Sequence, residues 1–514
     1  MTEYGRFGPL VGAIDEGTSS VRFIIFCPRN SQIIAQHQIP LKVIYPQNGW
    51  VEQDPVEIIT LINKCIDGVL AKLISMEVIP TDICCVGITN QRETVVAWDK
   101  INGQPLYNAI VWSDTRAQNI TKKLLESVPN KDINHWKYIC GLPLTASFSA
   151  PKLKWMLEEV PEVQKAASEN RLCLGTIDSW IIYNLTGGKN NGVHATDCSN
   201  ASRTFLMNLD TLQWDQNLCK FFGINSYLLP EIRSSSEIYG RFASGHLKGV
   251  PISGCLGDQQ AALLGHLCLE RGQAKSTYGT GCFLLCNVGN KKLNSKNGLL
   301  STVAFKLGAT APAMYALEGS VAVAGSALNW LRDNLGILED ANSVEAIAEA
   351  VTETNDVYFV PAFSGMYAPY WEQNARGVIV GITENTKNNH LIRAALEAVC
   401  YQTRDIVQAM EKDCGFPLKE LLVDGGMTKN NLLMQLQADL TGIPVVRPTN
   451  SEMTALGAAI AAGCAKSVNV WPLNRGPISQ SKIFWPAITI EEREWRYSKW
   501  KEAVERSFDW DVHS

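Results

Sequence analysis

The stretch Val11-Gly12-Ala13-Ile14-Asp15-Glu16-Gly17-Thr18-Ser19-Ser20-Val21-Arg22-Phe23-Ile24-Ile25-Phe26 decides how this chain is read. Two apolar runs, 11–14 and 21–26, flank a polar tip of Gly, Thr and Ser, which signals strand, turn and strand. A related pattern returns over 274–288, where Tyr278-Gly279-Thr280-Gly281-Cys282 leads into Phe283-Leu284-Leu285. The internal repeat is weak, but its second copy stands where a second domain would begin. The boundary is placed near 265–274, just after a helical run over 259–269. Further short strands, among them 83–89 and 95–98, alternate with helical stretches and predict an α/β protein.

Helices are expected after Asp54-Pro55, where Asp caps and Pro opens the first turn, and over 151–159, 389–410 and 430–440. The Ala-rich run 454–462 has side chains small enough for close packing against a neighbour or a nucleotide. From Lys466 onward the chain reads as peripheral loops with one terminal helix.

Composition narrows the function. A chain of 514 residues with 46% apolar side chains holds two large cored domains. Its 46 basic and 51 acidic residues leave a net charge of -5 with no long basic run. Nucleic acid and polybasic membrane binding are therefore disfavoured. Fifteen cysteines without a CxxC pair point to reduced thiols in a cytosol-like compartment. The start MTEYGRFGPL has neither a signal core nor a basic amphipathic presequence, and no 18-residue apolar run predicts a membrane span. The polar end Asp509 to Ser514 offers no anchor.

Three Gly-rich turns follow short apolar strands: 15–20, 279–281 and Asp424-Gly425-Gly426. No GxxxxGK[ST] or GxGxxG pattern exists, so Walker-type and dinucleotide-binding proteins are disfavoured. Each turn alone has a structural use. Together they suit a phosphate cradle between two domains, since Gly lets backbone approach and Thr/Ser hydroxyls donate. Asp258, between the run 255–257 and a helix, is either an N-cap or a general base. Arg92-Glu93 after a buried strand is either a surface ion pair or a reader of polyol hydroxyls, and Trp112 and Phe283 are core aromatics or walls for such a substrate.

At this point the chain resembles the FGGY carbohydrate kinase family, within the actin/hexokinase-like ATPase superfamily, and within it the branch that phosphorylates glycerol. The resemblance rests on GITNQRET (87–94), LGTIDSW (174–180), TDCSNASRT (196–204), PISGCLGDQQAAL (251–263), TYGTGCFLL (277–285), YALEGSVAVAGSALNWLRDN (315–334), VDGGMTKNN (423–431) and TALGAAIAAG (454–463). It implies two ribonuclease H-like (actin-like ATPase) domains with a catalytic cleft between them. These would be 9–265, with the polyol site and base, and 274–463, with the nucleotide site, followed by a peripheral segment 464–514. The implied activity is transfer of a phosphoryl group from ATP to glycerol, with Mg²⁺. Asp258 would be the catalytic base and Gln259 would touch substrate. Arg92 and Glu93 would hold hydroxyls, with Trp112 and Phe283 packing the carbons. Thr18, Ser19, Ser20 and Arg22 would serve the phosphates, and Gly279, Thr280, Gly325, Asn329, Gly426 and Asn430 would line the nucleotide site. Asp15 and Asp258 would act around Mg²⁺. The resemblance leaves a homo-oligomer open. It implies cytoplasm, with association at the mitochondrial outer surface a family trait, and neither nucleic acid nor an integral membrane segment as partner.

Two positions depart from the family pattern. Glu16 stands where the family has Gln, which would place an extra negative charge beside the phosphates unless Mg²⁺ offsets it or the side chain turns away. Ser147 stands where relatives carry a Tyr that packs on glycerol, so substrate binding would weaken. These departures keep two alternatives in view: a nucleotide-binding regulator with weak or lost activity, and a sibling kinase acting on a longer polyol or ketose.

Overall fold

The computed structural model describes residues 5–473 and 480–510; Met1–Tyr4 and Asp511–Ser514, from the two termini read above, lie outside them. The quoted stretch forms the strands Leu10–Glu16 and Ser20–Cys27, paired antiparallel with Val11 opposite Phe26 and Glu16 opposite Val21. Gln32–Pro40 extends this meander. On the other side Ile83–Asn90 and then Pro251–Gly257 add in parallel.

The strand Leu10–Glu16 is apolar almost throughout because both faces of its sheet are covered. The period-2 alternation of the strand sorts its side chains between two layers. Leu10 and Ile14, with Phe23, Ile25 and Val86, pack among Ile58, Ile62 and Val69 of the helix Pro55–Ser75. Val11 and Ala13, with Ile24, Phe26 and Cys85, pack among Ala455, Ala458 and Ala459 of the helix Met453–Cys464. The first of these helices begins as expected, with Asp54 Oδ1 accepting from Val56 N at 2.8 Å.

The second half repeats the plan. Ala274–Tyr278, Cys282–Gly289 and Met314–Val321 form an antiparallel meander, and Leu421–Asp424 and Val445–Pro448 add in parallel beside Ala274–Tyr278. Both halves are therefore α/β units with three antiparallel strands followed by two parallel ones, the ribonuclease H-like arrangement that the resemblance implied. The weak sequence repeat at 11–26 and 274–288 is the same hairpin in each unit.

The segment after Lys466 is more than peripheral. Ser481–Phe484 is a strand on the edge of the second sheet, paired with Val445–Pro448. The helix Ile490–Glu505 buries Tyr497 and Trp500 in the second core, where Trp500 Nε1 donates to Asp405 Oδ2 at 3.0 Å. The strand escaped sequence reading because a four-residue edge strand with three exposed positions carries no apolar pattern.

The two halves meet through exchanged helices. Met453–Cys464 lies on the first sheet, and Asp258–Gly265 contacts the strands Ala274–Tyr278 and Cys282–Gly289 of the second. Of the two roles open to the Ala-rich run, packing against a neighbour is the one observed. The two helices touch backbone to backbone: a Cβ on Gly457 would sit 1.8 Å from Ala261 O, and one on Gly265 would sit 2.1 Å from Met453 O. Gly87 is pressed equally hard, with Ala458 O at 2.1 Å from its would-be Cβ. Gly457→Ala is expected to destabilise by about 1–3 kcal/mol through overpacking. Gly426→Ala, with nothing within 4 Å of its Cβ position, is expected to leave stability within about 0.5 kcal/mol. Urea denaturation of both variants checks the contrast.

Candidate active site

Three parallel strands of the first sheet end side by side, with Glu16 opposite Asn90 and Asn90 opposite Gly257. Their carboxyl ends carry Asp15, Gln91-Arg92-Glu93 and Asp258, and ligands of open α/β sheets bind at such ends. Asp258 opens the helix Asp258–Gly265, whose N-cap is Gly257, so it is no N-cap. Its Oδ1 accepts from Gln259 N at 2.8 Å and faces Arg92 Nε at 3.3 Å. Its Oδ2 has only a long contact, 3.4 Å, from Gln259 Nε2, and the side chain keeps 30% exposure. Burial raises this carboxyl, Arg92 pulls it back and Glu93 raises it. A partly open carboxylate with one free oxygen is a competent proton acceptor.

Arg92, expected either in a surface ion pair or as a reader of polyol hydroxyls, is buried. Its Nη1 and Nη2 donate to Glu318 Oε2 and Oε1 at 2.6 and 2.9 Å, a bidentate pair across the two halves. Glu93 sits at φ +62°, an uncommon conformation for a side-chain-bearing residue and one that marks functional turns. Its Oε1 accepts from Arg203 Nε at 2.6 Å, and Arg203 Nη2 reaches Glu318 Oε1 at 3.4 Å. Burial pushes the Glu318 carboxyl up, but Arg203 and Arg92 hold it down at about 2. Arg203 and Glu318 were not singled out from sequence.

Lys275 was also missed. It is fully buried, and its Nζ donates to Gln259 Oε1 at 2.5 Å and Thr277 Oγ1 at 2.9 Å. An ammonium only donates, so it fixes the Gln259 amide with its nitrogen toward Asp258. Trp112 and Phe283, from opposite halves, meet edge to face at 6.1 Å, and the Arg92 guanidinium lies 5.8 Å from the Phe283 ring centre. The structure thus brings the two rings together beside Arg92.

The first Gly turn is braced by its neighbours. Trp112 Nε1 donates to Thr18 Oγ1 at 3.0 Å, Gln53 Nε2 donates to Thr18 O at 2.7 Å, and Gly17 N donates to Ser20 O at 3.0 Å. Ser19 is exposed at the tip and Ser20 is buried. Arg22 Nη1 spans Asp15 Oδ2 at 3.4 Å and Glu452 Oε2 at 3.1 Å. Burial lifts Asp15 to about 6, with Arg22 opposing and Glu452 and Asp258 adding to the rise.

The other two Gly turns come together. Gly325 N donates to Gly279 O at 3.1 Å, and Ala324 N and Ser326 N donate to Thr280 O at 3.0 and 3.1 Å, which docks 279–281 onto the start of the helix Gly325–Asp333. Gly425, at φ +93°, runs against the Tyr278 backbone, where a Cβ would lie 2.3 Å from Tyr278 O. Gly426 faces open space and Asn329 is exposed on the adjoining helix. Asn430 is the N-cap of Asn431–Thr441, its Oδ1 accepting from Leu433 N at 2.8 Å.

The two departures look different in three dimensions. Ser147 Oγ pairs with Thr145 Oγ1 at 2.8 Å, so its hydroxyl already has a partner in its own loop. Glu16 is fully buried, with Oε1 accepting from Gln91 Nε2 at 2.7 Å and Oε2 without a partner. Burial raises its carboxyl to about 8, against the Gln91 hydrogen bonds. Burial therefore shifts this carboxyl toward its neutral form, which works against the extra charge expected beside the phosphates.

Comparison with known proteins bears on the same residues. Models of the N-terminal and C-terminal domains of the FGGY family of carbohydrate kinases match residues 10–265 and 274–466. A probable glycerol kinase of Dictyostelium discoideum is 47% identical, over 98% of this chain and 99% of that protein. The crystal structure of Plasmodium falciparum glycerol kinase with ADP superposes with TM-score 0.87 and 38% identity, covering 97% of this chain and 98% of that one. A ligand-bound xylulose kinase of Lactobacillus acidophilus shares the fold, TM-score 0.81 over 97% of this chain and 96% of that one, at 21% identity.

The buried Glu16 has a measurable consequence. Its folded-state value, about 8, lies above the unfolded 4.5, so the folded chain retains a proton that the unfolded chain releases. That contribution is full below the unfolded value and is lost as pH rises through the folded one. Relative to Glu16→Gln, the wild type should lose stability between about pH 5 and about pH 8, by at most about 1.4 kcal/mol per unit. Urea midpoints at several pH values read this, and a difference independent of pH would contradict a neutral Glu16.

Proposed function

The chain belongs to the FGGY family of carbohydrate kinases, and from that premise we propose that it transfers the terminal phosphoryl group of ATP to glycerol, giving glycerol 3-phosphate and ADP. The observation that carries this reading is Asp258, a carboxylate with one open oxygen at a strand end, beside Arg92 and the Trp112–Phe283 wall. Glycerol is favoured over a larger sugar because the relatives that align end to end at 47% and 38% identity are glycerol kinases, whereas the xylulose kinase reaches 21%.

In this reading Asp258 accepts the proton of a terminal hydroxyl as that oxygen attacks the γ-phosphorus. Glu93 accepts from the other hydroxyls, Gln259 Nε2 donates toward the alcohol, and Trp112 with Phe283 packs its carbons. Backbone amides and hydroxyls of Thr18, Ser19 and Ser20, with Arg22, serve the phosphates. The turns 279–281 and 424–426, with Gly325, Asn329 and the Asn430 amide, hold the nucleotide. Asp15 and Asp258 fit Mg²⁺: both are carboxylate oxygen donors, and the Glu452 and Asp258 carboxylates near Asp15 add negative charge that a cation would offset. One or two carboxylates with substrate phosphates is the donor set that this ion takes, and it would supply neutralisation of the phosphate charge. Among the described residues no helix is long and apolar enough to cross a membrane.

The test is ADP release in a coupled assay with glycerol, dihydroxyacetone, xylulose and gluconate. Glycerol should be the preferred acceptor by kcat/KM, and Asp258→Asn should reduce its turnover about 10²–10⁴-fold with unchanged thermal unfolding. ADP release equal with and without every acceptor would overturn the kinase reading, and preference for xylulose or gluconate would overturn glycerol.

A further inference from the structure

A glutamate in the middle of an apolar strand needs an explanation. Glu318 lies in Met314–Val321, opposite Leu285 on one neighbouring strand and Leu300 on the other, and is 1% exposed. A buried carboxylate is tolerated only when paired and hydrogen-bonded. Its partners are two buried arginines of the other half, Arg92 at 2.6 and 2.9 Å and Arg203 at 3.4 Å.

Each arginine in turn holds one carboxylate of the alcohol site. Arg92 turns its Nε to Asp258 Oδ1 at 3.3 Å, and Arg203 donates from Nε to Glu93 Oε1 at 2.6 Å. Five N–H groups on a rigid fork make the plane of each guanidinium, once set by Glu318, dictate where its Nε–H points. Gln260 Oε1, 3.3 Å from Arg92 Nη1, and the Phe148 ring, 5.3 Å from the Arg203 guanidinium, complete the cradle. Arg203 Nη1 is buried without a hydrogen-bond partner, so this arginine has donors to spare beyond those the protein satisfies.

We propose that Glu318 is a positioning residue for the alcohol: one carboxylate of the C-terminal half that, through Arg92 and Arg203, fixes Asp258 and Glu93 of the N-terminal half. The proposal rests on the reading of this site as a polyol kinase. It gives Arg92 a role different from the hydroxyl contact inferred from sequence. Without the Glu318 charge both arginines are free to close on Asp258 and Glu93, occupying the oxygens that the alcohol needs. The nucleotide turns, which lie at 279–281 and 424–426, have no part in the clasp.

The test separates substrate positioning from mere stability. Glu318→Gln keeps the shape but replaces one acceptor oxygen by a donor facing an arginine. Arg203→Lys keeps both charges but loses the fork that reaches Glu93. Both are expected to raise the KM for glycerol at least about tenfold while the KM for ATP stays within about twofold. Glycerol affinity, read independently by isothermal titration calorimetry, should fall in step. Should Glu318→Gln not fold, as judged by circular dichroism and thermal unfolding, Arg203→Lys carries the test. Folded variants with wild-type KM for glycerol, or with both KM values raised alike, would overturn the clasp. A wild type that releases no ADP with glycerol overturns the kinase reading instead, and the two failures are thereby distinct.

Discussion

Everything in this molecule hangs on two helices that touch without side chains between them. Asp258–Gly265 and Met453–Cys464 approach so closely that Gly265 and Gly457 have no room for a methyl group, and Gly87 of the adjoining strand is in the same position. Each helix belongs by sequence to one half and packs on the sheet of the other. This seam puts the ends of the two sheets on the same side of the molecule. Asp258, the proposed base, is the first residue of one of these helices, so its place is set by the seam and not by a loop. Arg22 extends the same logic, tying the first Gly turn through Glu452 to the entrance of the other helix.

Around the seam the charges are arranged in a way that composition alone would not suggest. A mildly acidic protein buries Arg92, Arg203, Lys275, Glu318, Asp15 and Asp424 near one cleft. Each such group is expensive away from water unless it is paired, and several of the pairs found here cross from one half to the other. Lys275 joins the second sheet to Gln259, Glu318 joins it to Arg92 and Arg203, and His266 Nε2 lies 3.2 Å from Asp424 Oδ2. These contacts are better understood as fixing geometry than as adding stability. A set of preorganised donors and acceptors is what phosphoryl transfer asks of a protein, since the chemistry itself needs little covalent help.

How much of this the sequence disclosed follows from the range of each interaction. The hairpin 11–26, its repeat at 274–288, the helix after Asp54 and the strand-end placement of Asp258 are local patterns, and local patterns are legible. Resemblance to the FGGY family added the pairing of the Gly turns and the identity of the substrate. What stayed hidden was long-range. Glu318 reads as one polar letter in YALEGSV, and nothing within that strand reveals Arg92 and Arg203, which lie 226 and 115 positions away in the chain. Lys275 in AKSTY is equally silent. Glu16 was read as a charge because an exposed glutamate is one, whereas its complete burial, visible only in the fold, pushes the carboxyl up toward its neutral form against the Gln91 hydrogen bonds. A lone glutamate inside an otherwise apolar strand is the sequence signal that would have pointed to Glu318; the polar strand that holds Lys275 offers none.

The arrangement also divides the site by which half supplies each part. The alcohol pocket is built from both halves, but its walls are joined directly, by the Glu318 clasp and by Trp112 against Phe283. The phosphate turns are divided differently: 15–20 belongs to the first half, and 279–281 with 424–426 to the second. Trp112 Nε1 on Thr18 Oγ1 at 3.0 Å is the link between the pocket wall and the first turn. The parts proposed to hold the alcohol are therefore tied across the two halves more directly than the phosphate turns are. A kinase built this way can hold its small acceptor in place while the two halves close on the nucleotide, and closing excludes the water that would otherwise compete for the phosphoryl group.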